Sequence, residues 1–187
     1  MGATSTTRLV LIRHASTEAV RHSSFPLDEP LDEAGSSAAA EARSSLPRCD
    51  GAWAGPSLAA QQTASALGLE PHLDPALDGC DYGAWKGLTA DQLAPEDLVS
   101  WMTDPTAAPH GGESIAEVVA RVAGWLGARA DDYHRIVAVT HAEVIRAALI
   151  LALDAPLTAF WRIDVAPLAQ TVLHHSGRHW TLRSTGV

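Results

Sequence analysis

Two short apolar runs, far apart in the chain, predict buried β-strands. Leu9–Ile12 and Ile136–Val139 contain only aliphatic residues, and strands that are apolar on both faces are typical of parallel sheets covered by helices on both sides. The segment "GAWAG" (51–55) predicts a shorter strand. The tail "FWRIDVAPLAQTVLHHSGRHWTLRS" (160–184) predicts further strands, with a turn at Ser176–Gly177.

Helical periodicity lies between these runs. Residues 31–47 are rich in alanine and predict a helix that Pro47 ends, and residues 61–67 predict another that Gly68 closes. A strongly apolar helix is predicted over Val144–Leu153. One face of the first helix is predicted to carry Ala34, Ala38, Ala42 and Leu46. The clearest amphipathic stripe contains Ile115, Val118, Val119, Val122 and Leu126.

This alternation of strands and helices predicts an α/β fold. The expected architecture is a three-layer sandwich with a mostly parallel central sheet flanked by helices. With 187 residues, the chain is long enough for one substantial core, so residues 1–187 are predicted to form a single domain.

Charge and cysteine content narrow the functional classes. The 22 acidic and 13 basic residues give a net charge of −9, which disfavours a nucleic-acid partner. Cys49 and Cys80 lack metal-ligand spacing and are expected to be reduced thiols.

No window approaches the roughly 20 apolar residues of a membrane span, and "MGATSTTR" has no apolar signal core. A cytoplasmic protein without membrane association is therefore predicted. A homodimer is compatible with the sequence, although no surface stripe identifies an interface.

Two histidines follow the two apolar strands. Arg13 and His14 come directly after the first strand, and His141 comes just after the second. Ligands of open α/β sheets collect beyond the carboxyl ends of the strands. A neutral imidazole is a good nucleophile toward phosphorus, a guanidinium can grip two phosphate oxygens, and a protonated second histidine can bind another. The pair thus predicts phosphoryl transfer. Metal ligation by His14 and His141 is less favoured, because no nearby side chain has ligand spacing.

The sequence also resembles a known family. Six segments follow that family's order: "LVLIRHAST" (9–17), "DEPLDEAG" (28–35), "QQTASAL" (61–67), "DYGAWKGLT" (81–89), "HGGES" (110–114) and "VAVTHAEVIRAAL" (137–149). Together they resemble the histidine phosphatase (phosphoglycerate mutase-like) superfamily. By that resemblance, His14 is the nucleophile that becomes phosphorylated, Arg13 and His141 bind phosphoryl oxygens, and Thr17 supports the first loop.

The resemblance implies a phosphatase that acts on a small phosphorylated substrate and needs no metal or other cofactor. It also implies a cap-like insertion around residues 90–112 that selects the substrate. This segment is acidic and contains proline, which favours a monophosphate with an uncharged or apolar body. Phosphoglycerates and inositol polyphosphates are less favoured.

Two charged groups of the family pattern are missing. Ala59 stands where the second arginine is expected, and Gly79 stands where the acid glutamate is expected. One lost donor to a developing anion is worth about 2.7–4 kcal/mol. A lost general acid costs on the order of 10²–10⁴ in rate. These losses would weaken hydrolysis of an alkyl phosphate more than hydrolysis of an activated phosphate.

Three outcomes follow from these departures. Other residues could take over the roles, with Arg21, His22 or His110 binding substrate and Glu18 or Glu143 acting as the acid. Glu143 is notable because another branch of the superfamily carries its acid directly after the second histidine. Alternatively, the chemistry is redirected toward activated phosphates or another reaction. The third outcome is a catalytically impaired protein that binds a phosphorylated ligand.

Overall fold

A six-stranded mixed sheet forms the centre of the molecule. The computed structural model describes residues 6–131 and 135–186. In these residues the strand order is β3-β2-β4-β1-β5-β6. The strands are β1 (Thr7–Arg13), β2 (Gly51–Ala54), β3 (His72–Leu73), β4 (Arg135–Thr140), β5 (Gln170–His175) and β6 (Trp180–Thr185). The first four are parallel to one another, β5 pairs antiparallel with β1, and β6 pairs antiparallel with β5.

Helices cover both faces of this sheet. They are α1 (Glu18–His22), α2 (Glu33–Ala42), α3 (Leu58–Ala66), α4 (Pro95–Thr103), α5 (Ile115–Arg129) and α6 (Ala142–Leu153). Successive side chains of a strand point to opposite faces. Accordingly, Leu9 and Leu11 pack in the core with α5 and α6, whereas Val10 and Ile12 pack in a second core with α3. The predicted α/β sandwich is confirmed.

The pairing of β1 with β4 places the two histidine-bearing strand ends side by side. Arg13 is in register with Thr140, and the backbone N–H of His14 donates to the Thr140 carbonyl at 2.8 Å. Because the two strands are parallel, His14 and His141 leave the sheet at the same edge.

Two local predictions differ from the structure. In α2 the buried residues are Gly35 and Ala39, whereas Ala34 and Ala38 are exposed. Gly35 sets this rotation because it packs against the first loop, where a Cβ would lie 2.2 Å from the Ser16 carbonyl oxygen. In the tail, the strands begin only at Gln170. Leu157–Arg162 instead forms a 3₁₀ helix.

The segment predicted to act as a cap, residues 90–112, contains α4. This helix is anchored by Trp101, which is 3% exposed, and whose ring lies 4.6 Å from that of Trp161 between centroids. None of the helices in the described parts of the chain has both the length and the apolar character needed to cross a membrane.

Candidate active site

His14 is held in one tautomer by its own loop. Its Nδ1 lies 2.7 Å from the carbonyl oxygen of Ala15. Since a carbonyl oxygen only accepts hydrogen bonds, Nδ1 carries the proton and Nε2 keeps its lone pair. Burial lowers the pKa of His14 to about 4, and the neighbouring charges of His141 and Arg13 act in the same direction. The ring is therefore neutral at physiological pH and presents Nε2 as a nucleophile.

His141 lies against His14 at the start of α6. The two ring centroids are 4.8 Å apart and the ring planes are inclined by 64°. Nε2 of His141 lies 2.8 Å from Ser57 Oγ and 3.5 Å from Asp78 Oδ1. The histidine is 7% exposed, so its orientation is set by these two oxygen atoms and by the packing around it.

Arg13 adds a cation at the end of β1. Its Nη1 donates to the Val165 carbonyl at 2.6 Å, which fixes the guanidinium beside the sheet edge. Burial lowers the pKa of Arg13, the negative charge of Glu143 raises it, and the positive charge of Arg146 lowers it further. An arginine still remains charged under these conditions. Arg13 can therefore provide positive charge to a phosphoryl group beside His14.

A cavity of about 470 Å³ opens over these groups. Its wall includes Arg13, His14, Thr17, His141, Glu143 and Arg146, together with aromatic residues Phe25, Tyr82, Trp101 and Trp161. The cavity thus combines cationic groups with an aromatic surface. Thr17 is 1% exposed, caps α1 and donates to Glu29 at 2.9 Å, so it stabilises the loop that follows His14.

Arg146 is a cavity residue that sequence reasoning missed. It follows Glu143 by three residues on α6, and residues at this spacing share a helix face. Its Nε donates to the Ile163 carbonyl at 2.8 Å, and its guanidinium carbon lies 5.6 Å from the ring centroid of Trp161. The spacing from Glu143 was the available signal, because any helix that turns Glu143 toward His141 also turns Arg146 toward it.

Glu143 reaches the cavity as a carboxylate. It accepts a hydrogen bond from the Tyr82 hydroxyl. Burial raises the pKa of Glu143, but the charge of His141 and the Tyr82 hydrogen bond outweigh it, so the net pKa is lowered. Burial and the Glu143 charge raise the pKa of Tyr82. Glu143 is therefore ionised at neutral pH and holds no proton to donate.

Four other residues, which the sequence predicted for substrate binding or for proton donation, lie outside the wall of the His14 cavity. Glu18, Arg21 and His22 are exposed on α1, where His22 Nε2 lies 2.8 Å from Glu18 and Arg21 lies 3.6 Å from it. Among the described residues that line the His14 cavity, these three are absent. His110 is buried, accepts a hydrogen bond from the Gly112 N–H at 3.0 Å, and packs against Trp85. Their proposed roles stay predictions without support from this placement.

A second cavity, of about 500 Å³, lies on the other side of His141. Ser57, Asp78, Gly79 and Lys86 form part of its wall. Lys86 is paired with Asp81 at 2.6 Å. Ala59, at the position of the family's second arginine, is 5% exposed, and its carbonyl accepts a hydrogen bond from Thr63 at 2.7 Å.

Fold and site together define an α/β protein with Arg13, His14 and His141 at the adjacent ends of two parallel strands. The chain belongs to the histidine phosphatase superfamily (branch 1), whose family model matches residues 9–187. The predicted family is thereby confirmed.

Individual relatives carry more specific names. The chain is 33% identical over 193 residues to a bifunctional protein of Mycobacterium tuberculosis, covering 91% of this chain and 51% of that protein. It is 30% identical over 185 residues to phosphoserine phosphatase 1 of Hydrogenobacter thermophilus, covering 91% and 88%. The structure of mycobacterial glucosyl-3-phosphoglycerate phosphatase superposes with a TM-score of 0.84 at 27% identity, covering 97% and 99%. The chain therefore spans about half the length of the first of these relatives and most of the other two.

Proposed function

We propose that this protein is a phosphomonoesterase that acts through a phosphohistidine on His14. The observation that carries the proposal is the state of the His14 ring. Its proton lies on Nδ1, bonded to the Ala15 carbonyl at 2.7 Å, and its pKa is lowered to about 4 by burial. Nε2 is consequently free to attack phosphorus at neutral pH without a separate base.

The cations around His14 suit a phosphoryl group. We assign Arg13 and His141 to its oxygens, with Thr17 supporting the loop. Arg146, in the wall of the same cavity, supplies a second guanidinium in a molecule that has Ala59 at the usual arginine position. Fixed positive groups aimed at developing charge lower the barrier to transfer because they need no reorganisation during the reaction.

The reaction proceeds in two displacements. In the first, His14 Nε2 forms a bond to phosphorus while the ester P–O bond breaks, and the leaving oxygen takes the bonding electrons and a proton. In the second, water attacks phosphorus, loses a proton, and the P–N bond breaks to return inorganic phosphate and free His14. Glu143 balances the charges of Arg13 and Arg146 during both steps.

The cavity favours a small phosphomonoester with an apolar or aromatic body. Phe25, Trp101 and Trp161 line part of its wall, and aromatic walls bind apolar groups well. Two of the relatives are named for phosphoserine and glucosyl-3-phosphoglycerate, which supports a small phosphorylated metabolite. Trp101 and Ala90 bring residues 90–112 to the cavity, so we assign this segment as the cap that selects the substrate.

Cellular context stays a prediction from sequence. The net charge of −9 agrees with a small-molecule substrate rather than a nucleic acid. We propose that the protein acts in the cytoplasm, and a homodimer remains a prediction.

The test is trapping of the phosphoenzyme. The protein is incubated with 4-nitrophenyl phosphate, turnover is followed by nitrophenolate release, and the protein is quenched in denaturant and analysed by mass spectrometry. We expect turnover and an acid-labile phosphoryl group on His14, both lost in His14→Ala. His179→Ala, which changes an exposed histidine, is the matched control and should keep both.

A negative result would support the binding alternative. If neither turnover nor phosphoenzyme appears across a broad panel of phosphorylated substrates, the enzyme proposal is wrong. Calorimetry with inorganic phosphate then shows whether the protein retains an anion site that depends on Arg13.

A further inference from the structure

The proposed reaction needs a proton for the leaving oxygen, and the usual donor position is occupied by Gly79. Glu143 is ionised because His141 and Tyr82 lower its pKa. Asp78 is also ionised, because the hydrogen bond and charge of His141 outweigh the effect of partial burial on its pKa. Neither carboxyl group holds a proton at neutral pH, so a different donor is required.

His141 has one nitrogen surrounded by acceptors. Its Nε2 lies 2.8 Å from Ser57 Oγ and 3.5 Å from Asp78 Oδ1. Ser57 Oγ also accepts from the Ala60 N–H at 3.3 Å. A carboxylate oxygen only accepts and a serine hydroxyl can accept, so a proton on Nε2 satisfies both contacts. The nearby negative charge of Asp78 also stabilises a positive charge on the ring.

The other nitrogen of His141 is left open by Gly79. A Cβ at position 79 would lie 3.0 Å from Nδ1 and 3.2 Å from Cγ of His141. Within the described part of the chain, Nδ1 has no hydrogen-bond partner, whereas Nε2 has two oxygens close to it. The absence of a side chain at position 79 therefore keeps the space beside Nδ1 free of a Cβ, and His141 itself lines both cavities.

The loop that carries Asp78 and Gly79 is fixed by Arg121. This guanidinium donates to Glu113 at 2.7 and 2.8 Å and to the carbonyls of Ala76, Asp78 and Gly79 at 2.9, 3.0 and 3.1 Å. Its donors are thus all directed at this loop and at Glu113. The position of Asp78 relative to His141 is consequently built into the fold.

We propose that His141 is the acid of the phosphatase reaction and that Asp78 and Ser57 are positioning residues for it. This inference rests on the proposed function. In the first displacement the Nδ1–H of the imidazolium passes to the leaving oxygen as the ester P–O bond breaks, which leaves a neutral ring protonated on Nε2. In the second displacement Nδ1 accepts the proton of the attacking water, and the imidazolium is restored.

The experiment compares kcat/KM for two substrates in a variant that lacks the negative charge of Asp78. For 4-nitrophenyl phosphate the leaving group departs without a proton, whereas phenolate from phenyl phosphate needs one. Asp78→Asn is expected to lower kcat/KM for phenyl phosphate about tenfold, the low end of what a general acid contributes, and that for 4-nitrophenyl phosphate by less than about threefold. Asp78→Glu, which restores the charge, should recover part of the loss.

Asp81→Asn is the matched control. It removes a carboxylate from the wall of the same cavity, but that carboxylate pairs with Lys86 at 2.6 Å instead of with His141. We expect Asp81→Asn to change kcat/KM for the two substrates by the same factor. An equal loss on both substrates in Asp78→Asn would assign Asp78 a purely structural role and overturn the inference.

A measurement on the unmodified protein covers the case in which Asp78→Asn does not fold. A series of aryl phosphates with leaving phenols of increasing pKa should show a shallow dependence of kcat/KM on that pKa if His141 donates a proton. A steep dependence excludes proton donation. In either case the phosphoenzyme on His14 tests the proposed function separately. The proposed function and the role of His141 as the acid can therefore fail independently.

Discussion

At the scale of single residues, the chemistry depends on how His14 is buried. The loop carbonyl of Ala15 selects the tautomer, and burial keeps the ring neutral. An exposed histidine with its ordinary pKa near 6.5 would be partly protonated at pH 6 and would lose nucleophilicity there. His14 avoids this loss, because burial and the neighbouring positive charge of Arg13 disfavour protonation of its ring.

His14 is expected to titrate well below the ordinary value for histidine. Because burial and neighbouring positive charge lower its pKa to about 4, its ring proton resonances should stay unchanged from pH 8 to pH 5 and shift only in more acidic solution. NMR spectra of the imidazole ¹³C–¹H groups, assigned with His14→Ala, provide the measurement. A midpoint near 6.5 would contradict the described environment.

Adding one methyl group at Gly79 is expected to disturb His141. In Gly79→Ala the new Cβ would lie 3.0 Å from Nδ1, so the ring must move by a few tenths of an ångström. Small displacements of catalytic groups have large kinetic effects, and we expect kcat/KM for phenyl phosphate to fall about tenfold. Gly124→Ala is the control, since that glycine lies exposed on α5 with no atom within 4 Å of its Cβ position. Equal activity of the two variants would show that His141 tolerates the contact.

The sequence predicted part of this site and missed the rest for a physical reason. The juxtaposition of Arg13, His14 and His141 was predictable because strand ends are recognisable from apolar runs. Arg146 lies on a helix whose rotation about its axis the pattern alone does not determine. Ser57 and Asp78 reach His141 from two loops, and the position of a loop depends on tertiary contacts that short-range spacing does not encode.

At the scale of elements, one partly buried arginine connects α5 to the loop beside His141. Arg121 is bound by Glu113 and by three loop carbonyls. The sequence predicted the apolar stripe of α5 correctly but gave no indication of this polar contact. Likewise, the rotation of α2 was mispredicted because the contact of Gly35 with Ser16, rather than the spacing of alanines, orients that helix.

Removing the Arg121 side chain is expected to destabilise the folded protein. Arg121→Ala leaves Glu113 and three carbonyls without this partner in a partly buried region, and should lower the free energy of unfolding by about 1–3 kcal/mol, the cost of unsatisfied polar groups. Denaturant titration measures this change. Arg135→Ala, which breaks an exposed pair with Asp50, should have little effect because solvent screens that pair. Similar losses in both variants would argue against the described role of Arg121.

At the scale of the whole molecule, the neutral His14 makes stability depend on pH. The unfolded chain protonates this histidine near pH 6.5, whereas the folded chain does so only near pH 4. The unfolded state therefore binds more protons between these values, and stability falls as the pH is lowered through this window. The contribution lost is about 3 kcal/mol.

The overall architecture was predictable from the sequence, since alternating apolar strands and helices define it. The antiparallel pairing of β5 and β6 makes the sheet mixed.

This acid sensitivity is expected to decrease when His14 is replaced. His14→Asn removes the titrating group, so its free energy of unfolding should fall less between pH 6.5 and pH 4 than that of the unmodified protein, by about 3 kcal/mol. Denaturant titrations at several pH values measure the difference. Parallel pH profiles for the two proteins would show that His14 is protonated equally in the folded and unfolded states.

The hydrogen bond from the His14 N–H to the Thr140 carbonyl has a consequence for how such a protein can diversify. Two neighbouring strands of one sheet fix the spacing of the two histidine backbones, while loop atoms orient the two rings. We expect the exposed positions of residues 90–112 to tolerate exchange during evolution while the two histidine backbones keep their places, since Trp101 and His110 are the buried positions of this segment. Engineers can use the same separation: a library confined to this segment should yield altered substrate preference at an unaltered catalytic centre.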